Sequence, residues 1–147
     1  MEKYVSNSVK ETKNFAINLI EQISAVKSQK TLVIGLVGEL GAGKTQFVQG
    51  AAEYLGIRRN VTSPTFVLMK KYSVPTGNFN TMYHIDCYRL HSPREVLDLG
   101  WKEIAQEPNN IIFIEWAERV KGILLKDVIW VTIKDKGENK REIEVRN

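Results

Sequence analysis

Residues Gly38 to Thr45 read G-E-L-G-A-G-K-T, a complete G-x-x-x-x-G-K-[ST] string. No other feature of the chain restricts its fold so much. Such a string works only where a buried strand delivers the chain into a turn and a helix leaves it. Both flanks read that way. Thr31 to Val37, T-L-V-I-G-L-V, is a continuous apolar run rich in β-branched residues, the pattern of a strand covered on both faces. From Lys44 onward, Phe47, Val48, Ala51, Ala52 and Leu55 recur at helical spacing, and Gly56 stops the helix. The glycines let the backbone curl so that successive N–H groups converge on phosphate oxygens, and the helix adds its N-terminal dipole. In this setting Glu39, Leu40, Gly41, Ala42, Gly43, Lys44, Thr45 and Gln46 wrap a nucleoside triphosphate. Lys44 bridges its β- and γ-phosphates, and Thr45 offers its hydroxyl to Mg²⁺.

The remaining pattern is α/β. Ser8-Val9-Lys10-Glu11 has the form of a capping box and opens a helix whose stripe is Phe15, Leu19, Ile23 and Val26, ended by the polar stretch 27–30. After Val61-Thr62-Ser63-Pro64-Thr65-Phe66, the run F-V-L-M-K-K-Y reads as a strand. The turn 75–80 and a second strand around Met82 to Ile85 complete a hairpin flanking the sheet. Pro93-Arg94-Glu95 opens a short helix. Ile111 to Ile114 is a buried strand ending in Glu115-Trp116, and 127–133 and 142–145 close the chain as strands. Without repeats or linkers, this predicts one domain over residues 1–147. The fold class is a three-layer sandwich of the P-loop NTPase type, a mixed central sheet flanked by helices.

Hydrolysis in this class needs an acid at the end of a neighbouring strand, to hold the Mg²⁺ shell. Two residues qualify: Glu115, at the end of I-I-F-I, and Asp86, at the end of Y-H-I. Each alone also reads as an ordinary strand-end carboxylate; the expectation is that one serves the metal and the other orients the attacking water or helps to position Mg²⁺. Thr65, in Ser63-Pro64-Thr65, lies where a switch threonine senses the γ-phosphate through Mg²⁺. The same string also reads as a proline-initiated turn. His84 shares a strand face with Asp86, which allows either a His–Asp hydrogen bond or a structural role. Trp116 is a core residue or an aromatic beside the site. Arg58, Arg59, Lys70 and Lys71 are solvated cations or partner contacts.

Several classes are excluded or disfavoured. The string nearest to the guanine-reading N-K-x-D is Asn139-Lys140-Arg141-Glu142, which has Glu for Asp and no helix after it, so GTP specificity is not expected. A small-molecule kinase needs a substrate pocket and an Arg-bearing lid, for which 147 residues leave little room. A nucleotide-gated binding module with little catalysis is the other alternative. The net charge of +4 permits an anionic partner without establishing one. A single cysteine, Cys87, forms no internal disulfide and suits a reducing cytosol. The N-terminal string has no apolar signal core, and no apolar run reaches the ~18 residues of a membrane span, so the expectation is a cytoplasmic protein.

Together, G-E-L-G-A-G-K-T, V-T-S-P-T-F (Val61 to Phe66), H-I-D-C-Y-R-L (His84 to Leu90) and I-E-W-A-E-R (Ile114 to Arg119) closely resemble the TsaE family, formerly YjeE. That family is the bacterial ATPase component of tRNA threonylcarbamoyladenosine synthesis. The resemblance runs from about Ser8 to Arg146. It implies a small Mg²⁺-dependent ATPase that binds ATP and ADP and joins TsaD and TsaB. Those proteins attach the threonylcarbamoyl group to the adenosine next to the anticodon in tRNAs reading ANN codons. The resembling chain would hydrolyse ATP slowly, faster with its partners, and meet tRNA only through the complex. Carried over by residue, Lys44 and Thr45 match the nucleotide and Mg²⁺ residues, and Asp86 the acid implicated in hydrolysis. Glu115 matches the second Mg²⁺-site acid, Trp116 the tryptophan after it, and Ser63, Pro64 and Thr65 the switch-like loop. Ser8, Val9 and Thr12 match the adenine position, and Arg141 a basic residue of the last hairpin. Cys87 departs from the larger apolar residue usual there.

Overall fold

A computed structural model describes residues 2–25, 30–124 and 127–147. In chain order the elements are β1 (Glu2–Ser6), α1 (Val9–Ala25), β2 (Leu32–Val37), α2 (Lys44–Tyr54), β3 (Met69–Ser73) and β4 (Thr81–Asp86). Then follow α3 (Arg94–Asp98), α4 (Trp101–Ile104), β5 (Asn110–Glu115), a 3-10 segment over Ala117–Ile123, β6 (Ile129–Gly137) and β7 (Lys140–Arg146). One seven-stranded sheet runs β1-β7-β6-β2-β5-β4-β3. The four central strands β6, β2, β5 and β4 are parallel, while β7 and β3 pair antiparallel at either side and β1 pairs antiparallel with β7. The mixed sheet of the sequence reading is therefore present.

The pleat sorts side chains into two apolar layers. Ile34 and Leu36 of β2, Ile111 and Phe113 of β5, and Val131 and Ile133 of β6 pack with Phe15, Leu19, Phe47 and Val48 of α1 and α2. Val33, Ile112 and Ile114 face the other way and pack with Val96, Trp101, Ala117 and Val120. Helices therefore cover both faces. This is why β2 and β5 read as unbroken apolar runs rather than alternating ones.

Ser8 caps α1 as expected, the Glu11 amide donating to Ser8 Oγ at 3.1 Å, while the Glu11 carboxylate accepts from the Tyr4 hydroxyl at 3.5 Å. Val26 and 27–29, where the stripe of α1 was expected to end, lie outside the described residues. The hairpin strand begins at Met69, three residues later than the apolar run suggests, because Thr65–Val67 form a turn closed by Leu68 N–H donating to Pro64 O at 2.7 Å. Phe66 and Val67 are consequently exposed rather than in the sheet. β1 and α4 have no strong signal in the sequence. β1 is a short, charged edge strand whose pairing comes entirely from β7. The four residues of α4 are anchored by Trp101, which is buried and donates Nε1–H to Ile123 O at 3.2 Å.

Candidate functional site

The carboxyl ends of β2, β4 and β5 lie at one edge of the sheet, where open α/β folds place ligands. β2 delivers the 38–43 loop, β4 delivers Asp86 and β5 delivers Glu115. Asp86 and Glu115 are register partners across adjacent parallel strands. A cavity of about 480 Å³ opens here, lined among others by Gly43, Lys44, Thr45, Asp86, Glu115 and Trp116.

The loop enters α2 through Gly43, which has φ +111° and sits at the helix N-cap. A Cβ there would be strained and 3.2 Å from Gln46 Oε1, so only glycine suits the position. Lys44 is buried and folds back over the loop: its ammonium donates to Gly38 O and, at 3.0 Å, to Glu39 O. It also lies 4.4 Å from the centroid of the Trp116 ring. Burial pushes the Lys44 pKa down, opposed by the nearby charges of Glu115 and Asp86.

Thr45, on the first turn of α2, donates its hydroxyl to Glu115 Oε2 at 2.9 Å. Glu115 Oε2 also lies 2.6 Å from His84 Nε2. The histidine thus pairs with Glu115 and not with Asp86. The parallel register explains this: His84 and Asp86 face the same way as Phe113 and Glu115, and the longer Glu115 side chain reaches back to His84. Asp86 is held instead by the 63–65 loop, accepting from Thr65 Oγ1 at 2.8 Å and Ser63 Oγ at 3.2 Å, while the Tyr88 amide donates to its Oδ1 at 2.9 Å. Ser63, Thr65, Asp86, Thr45 and Glu115 therefore all border one cavity.

Trp116 adopts a left-handed conformation, φ 58°, unusual for a bulky residue. That geometry turns its ring over Lys44 and against Tyr88, with ring centroids 5.0 Å apart. Leu40 and Gly41 line the same cavity, and Ala42 is buried beneath the loop. Tyr88 and Arg89 line it too, and sequence reasoning gave them no role. Their only signal is their place directly after Asp86 in H-I-D-C-Y-R-L. Cys87 is buried, and burial pushes its thiol up to about 12, so it is a packing residue without nucleophilic character.

Ser8, Val9 and Thr12 meet Asn139 and Arg141 around a second cavity of about 200 Å³. Gln46 lines both cavities. Arg141 donates to Asp135 Oδ1 at 2.9 Å and to Gly41 O at 3.4 Å, which ties the last hairpin to the loop. The string 139–142 lies in the β6–β7 hairpin, with Asn139 at φ 67°, a turn with no base-reading helix behind it.

The donor set has a definite metal chemistry. A hydroxyl and two carboxylates are hard oxygen ligands, which suit Mg²⁺. Among the described residues no cluster of three or more His, Cys, Asp or Glu side chains could hold a metal by itself. Mg²⁺ is commonly bound in this way, through one or two protein oxygens completed by phosphates. Among the described residues no helix is long and apolar enough to cross a membrane.

Fold and site together define an α/β protein with a glycine-rich strand–loop–helix turn and two carboxylates at adjacent strand ends. Residues 6–143 match the family model described as "Threonylcarbamoyl adenosine biosynthesis protein TsaE". The chain is 40% identical over 141 residues to the tRNA threonylcarbamoyladenosine biosynthesis protein TsaE of Rickettsia typhi, covering 95% of this chain and 91% of that one. It is 37% identical over 124 residues to the protein of the same name from Bacillus subtilis, covering 84% and 75%. The crystal structure of Bacillus subtilis YdiB superposes with a TM-score of 0.69 at 32% identity, covering 97% of this chain and 82% of that one. The chain belongs to the TsaE family of threonylcarbamoyladenosine biosynthesis proteins.

Proposed function

We propose that this protein is the Mg²⁺-dependent ATPase of tRNA threonylcarbamoyladenosine synthesis in the cytoplasm, acting with TsaD and TsaB and not itself transferring the threonylcarbamoyl group. The observation that carries the ATPase part is convergence. The Lys44–Thr45 loop end, Glu115 and Asp86 come from three separate elements and border one cavity.

In this reading the loop amides and Lys44 take the triphosphate. The Lys44 ammonium leaves Gly38 O, Glu39 O and the Trp116 ring for the phosphates, a stronger charge-assisted contact. Thr45 and Glu115 hold Mg²⁺, which when bound neutralises charge on the β- and γ-phosphates. Asp86 orients the attacking water, and Thr65, hydrogen-bonded to Asp86, reports the γ-phosphate. The base enters the second cavity beside Ser8, Val9, Thr12 and Arg141, with Gln46 lining both cavities. The choice of adenine and the partners TsaD and TsaB rest on family membership, and tRNA meets the chain through that complex. Hydrolysis is slow in the isolated chain and rises with the partners.

The test is a pull-down from the source cell with and without ATP. Recovery of a TsaD–TsaB pair dependent on nucleotide supports the proposal. Phosphate transferred to a small molecule, with no TsaD or TsaB recovered, would replace it with a kinase.

A further inference from the structure

His84 sits within the sheet, fully buried, on the face of β4 that also carries Met82 of the apolar layer. A polar ring in such a place costs free energy unless its nitrogens are paired. One nitrogen is paired: Nε2 lies 2.6 Å from Glu115 Oε2, and Glu115 itself is only 4% exposed. The other, Nδ1, is buried with no hydrogen-bond partner. A histidine chosen for packing has no reason to keep such an orphan, since an apolar residue would fill the space without one. What the ring provides here is a single donor aimed at a single carboxylate.

A carboxylate that ligates a cation is ionised and only accepts, so on that reading of Glu115 the proton on this contact belongs to His84 Nε2. Glu115 Oε2 thus receives two donors, His84 from β4 and the Thr45 hydroxyl from α2. They clamp the carboxylate from two elements. The Thr45 hydroxyl is itself offered to the cation, whereas the His84 ring makes no other hydrogen bond among the described residues. Donors behind a ligating carboxylate or imidazole fix its orientation and raise its metal affinity.

We infer that His84 is a positioning residue for the divalent cation: it holds the Glu115 carboxylate at the angle from which it meets the metal. This rests on the reading of Glu115 as the metal-site acid. The His84 ring is fully buried and does not line the cavity.

The experiment measures Mn²⁺ affinity of the ATP complex by electron paramagnetic resonance, alongside metal-free ADP affinity and thermal stability. The variants are H84F, H84M, H84Q and E115Q. H84F and H84M fill the space without a donor and should weaken Mn²⁺ binding about 10-fold or more. Metal-free ADP binding should be unchanged. H84Q, whose amide reaches the Nε2 position, should restore most of the loss. In the unmodified protein, which avoids any folding defect, nitrogen NMR of His84 should show the proton on Nε2. The Nε2 signal should shift when Mg²⁺ is added to the ADP complex and not with ADP alone.

A purely structural histidine would lower stability in H84F and H84M and leave Mn²⁺ affinity at the wild-type level while E115Q weakens it. That result overturns the inference and leaves the role of Glu115 standing. A proton on Nδ1, or an Nε2 signal indifferent to Mg²⁺, overturns it as well. Mn²⁺ binding unaffected by E115Q removes both this inference and the reading beneath it.

Discussion

Thr65 and Asp86 are joined across the mouth of the site, the Thr65 hydroxyl donating to Asp86 Oδ2 at 2.8 Å. The contact links the turn 65–67 to a carboxylate fixed at the end of a central strand. Asp86 is 4% exposed and its other oxygen is taken by the Tyr88 amide, so its orientation is set before any ligand arrives. If it orients water, Asp86→Asn should keep ATP affinity within a few-fold and lower hydrolysis by about 100- to 10,000-fold, the usual span for a positioned base. Equilibrium binding and phosphate release, measured side by side, check this. Lost binding would make Asp86 a metal or structural group instead.

Trp116 should report the arrival of nucleotide. Its ring lies 4.4 Å from the Lys44 ammonium, which must leave to reach phosphate. Tryptophan fluorescence should therefore change on titration with ATP. The change should vanish in Trp116→Phe and in Lys44→Met. Trp101, buried and bonded to Ile123 O, should contribute nothing to it. A signal that survives in Trp116→Phe would contradict the account.

How far the sequence discloses this site depends on how local each feature is. The loop and α2 are legible because glycines, lysine and apolar spacing act over a dozen neighbouring residues. Glu115 and Asp86 are legible as candidates because each ends an apolar run. Their separate environments are not, because the Thr45–Glu115 and Thr65–Asp86 contacts depend on which strands are neighbours. The His84–Glu115 pair shows the same limit: along the chain Asp86 is nearer, and only the β4–β5 register reveals Glu115 as the partner. β1 escapes for the same reason. Glu2–Ser6 has too little apolar character to announce a strand, and its structure comes from pairing with β7 and the stacking of Tyr4 on Phe15 at 4.8 Å.

Lys44 should make the nucleotide-free protein less stable at neutral pH. Burial lowers its folded pKa below the usual 10.5, so the unfolded chain binds its proton more tightly. The penalty is fully present below the folded pKa and fades as pH rises toward the unfolded value. Lys44→Met should therefore melt above the wild type at pH ~7, and the gap should narrow as pH approaches that value. Thermal melts across pH, without nucleotide, test the sign. A gap that widens with pH would reverse it.

Gly50 fixes the distance between α1 and α2. A Cβ there would lie 2.5 Å from Lys13 O and 2.7 Å from Lys13 Cα. Alanine would gain about 1 kcal/mol of helix propensity, yet the clash is with backbone and cannot be relieved by a rotamer. Overpacking should prevail, leaving Gly50→Ala about 1–3 kcal/mol less stable in urea unfolding. A stabilised Gly50→Ala would show slack between the helices.

The claim on which the account stands is that the 38–45 loop binds ATP for hydrolysis, and Lys44→Ala tests it most directly. Phosphate release from ATP with Mg²⁺ is measured for the wild type and for Lys44→Ala, with folding checked by thermal melt. Removing a desolvated charge–phosphate contact of about 2–4 kcal/mol predicts a loss of roughly 30- to 1000-fold. Hydrolysis at the wild-type rate in a folded Lys44→Ala protein would contradict the assignment.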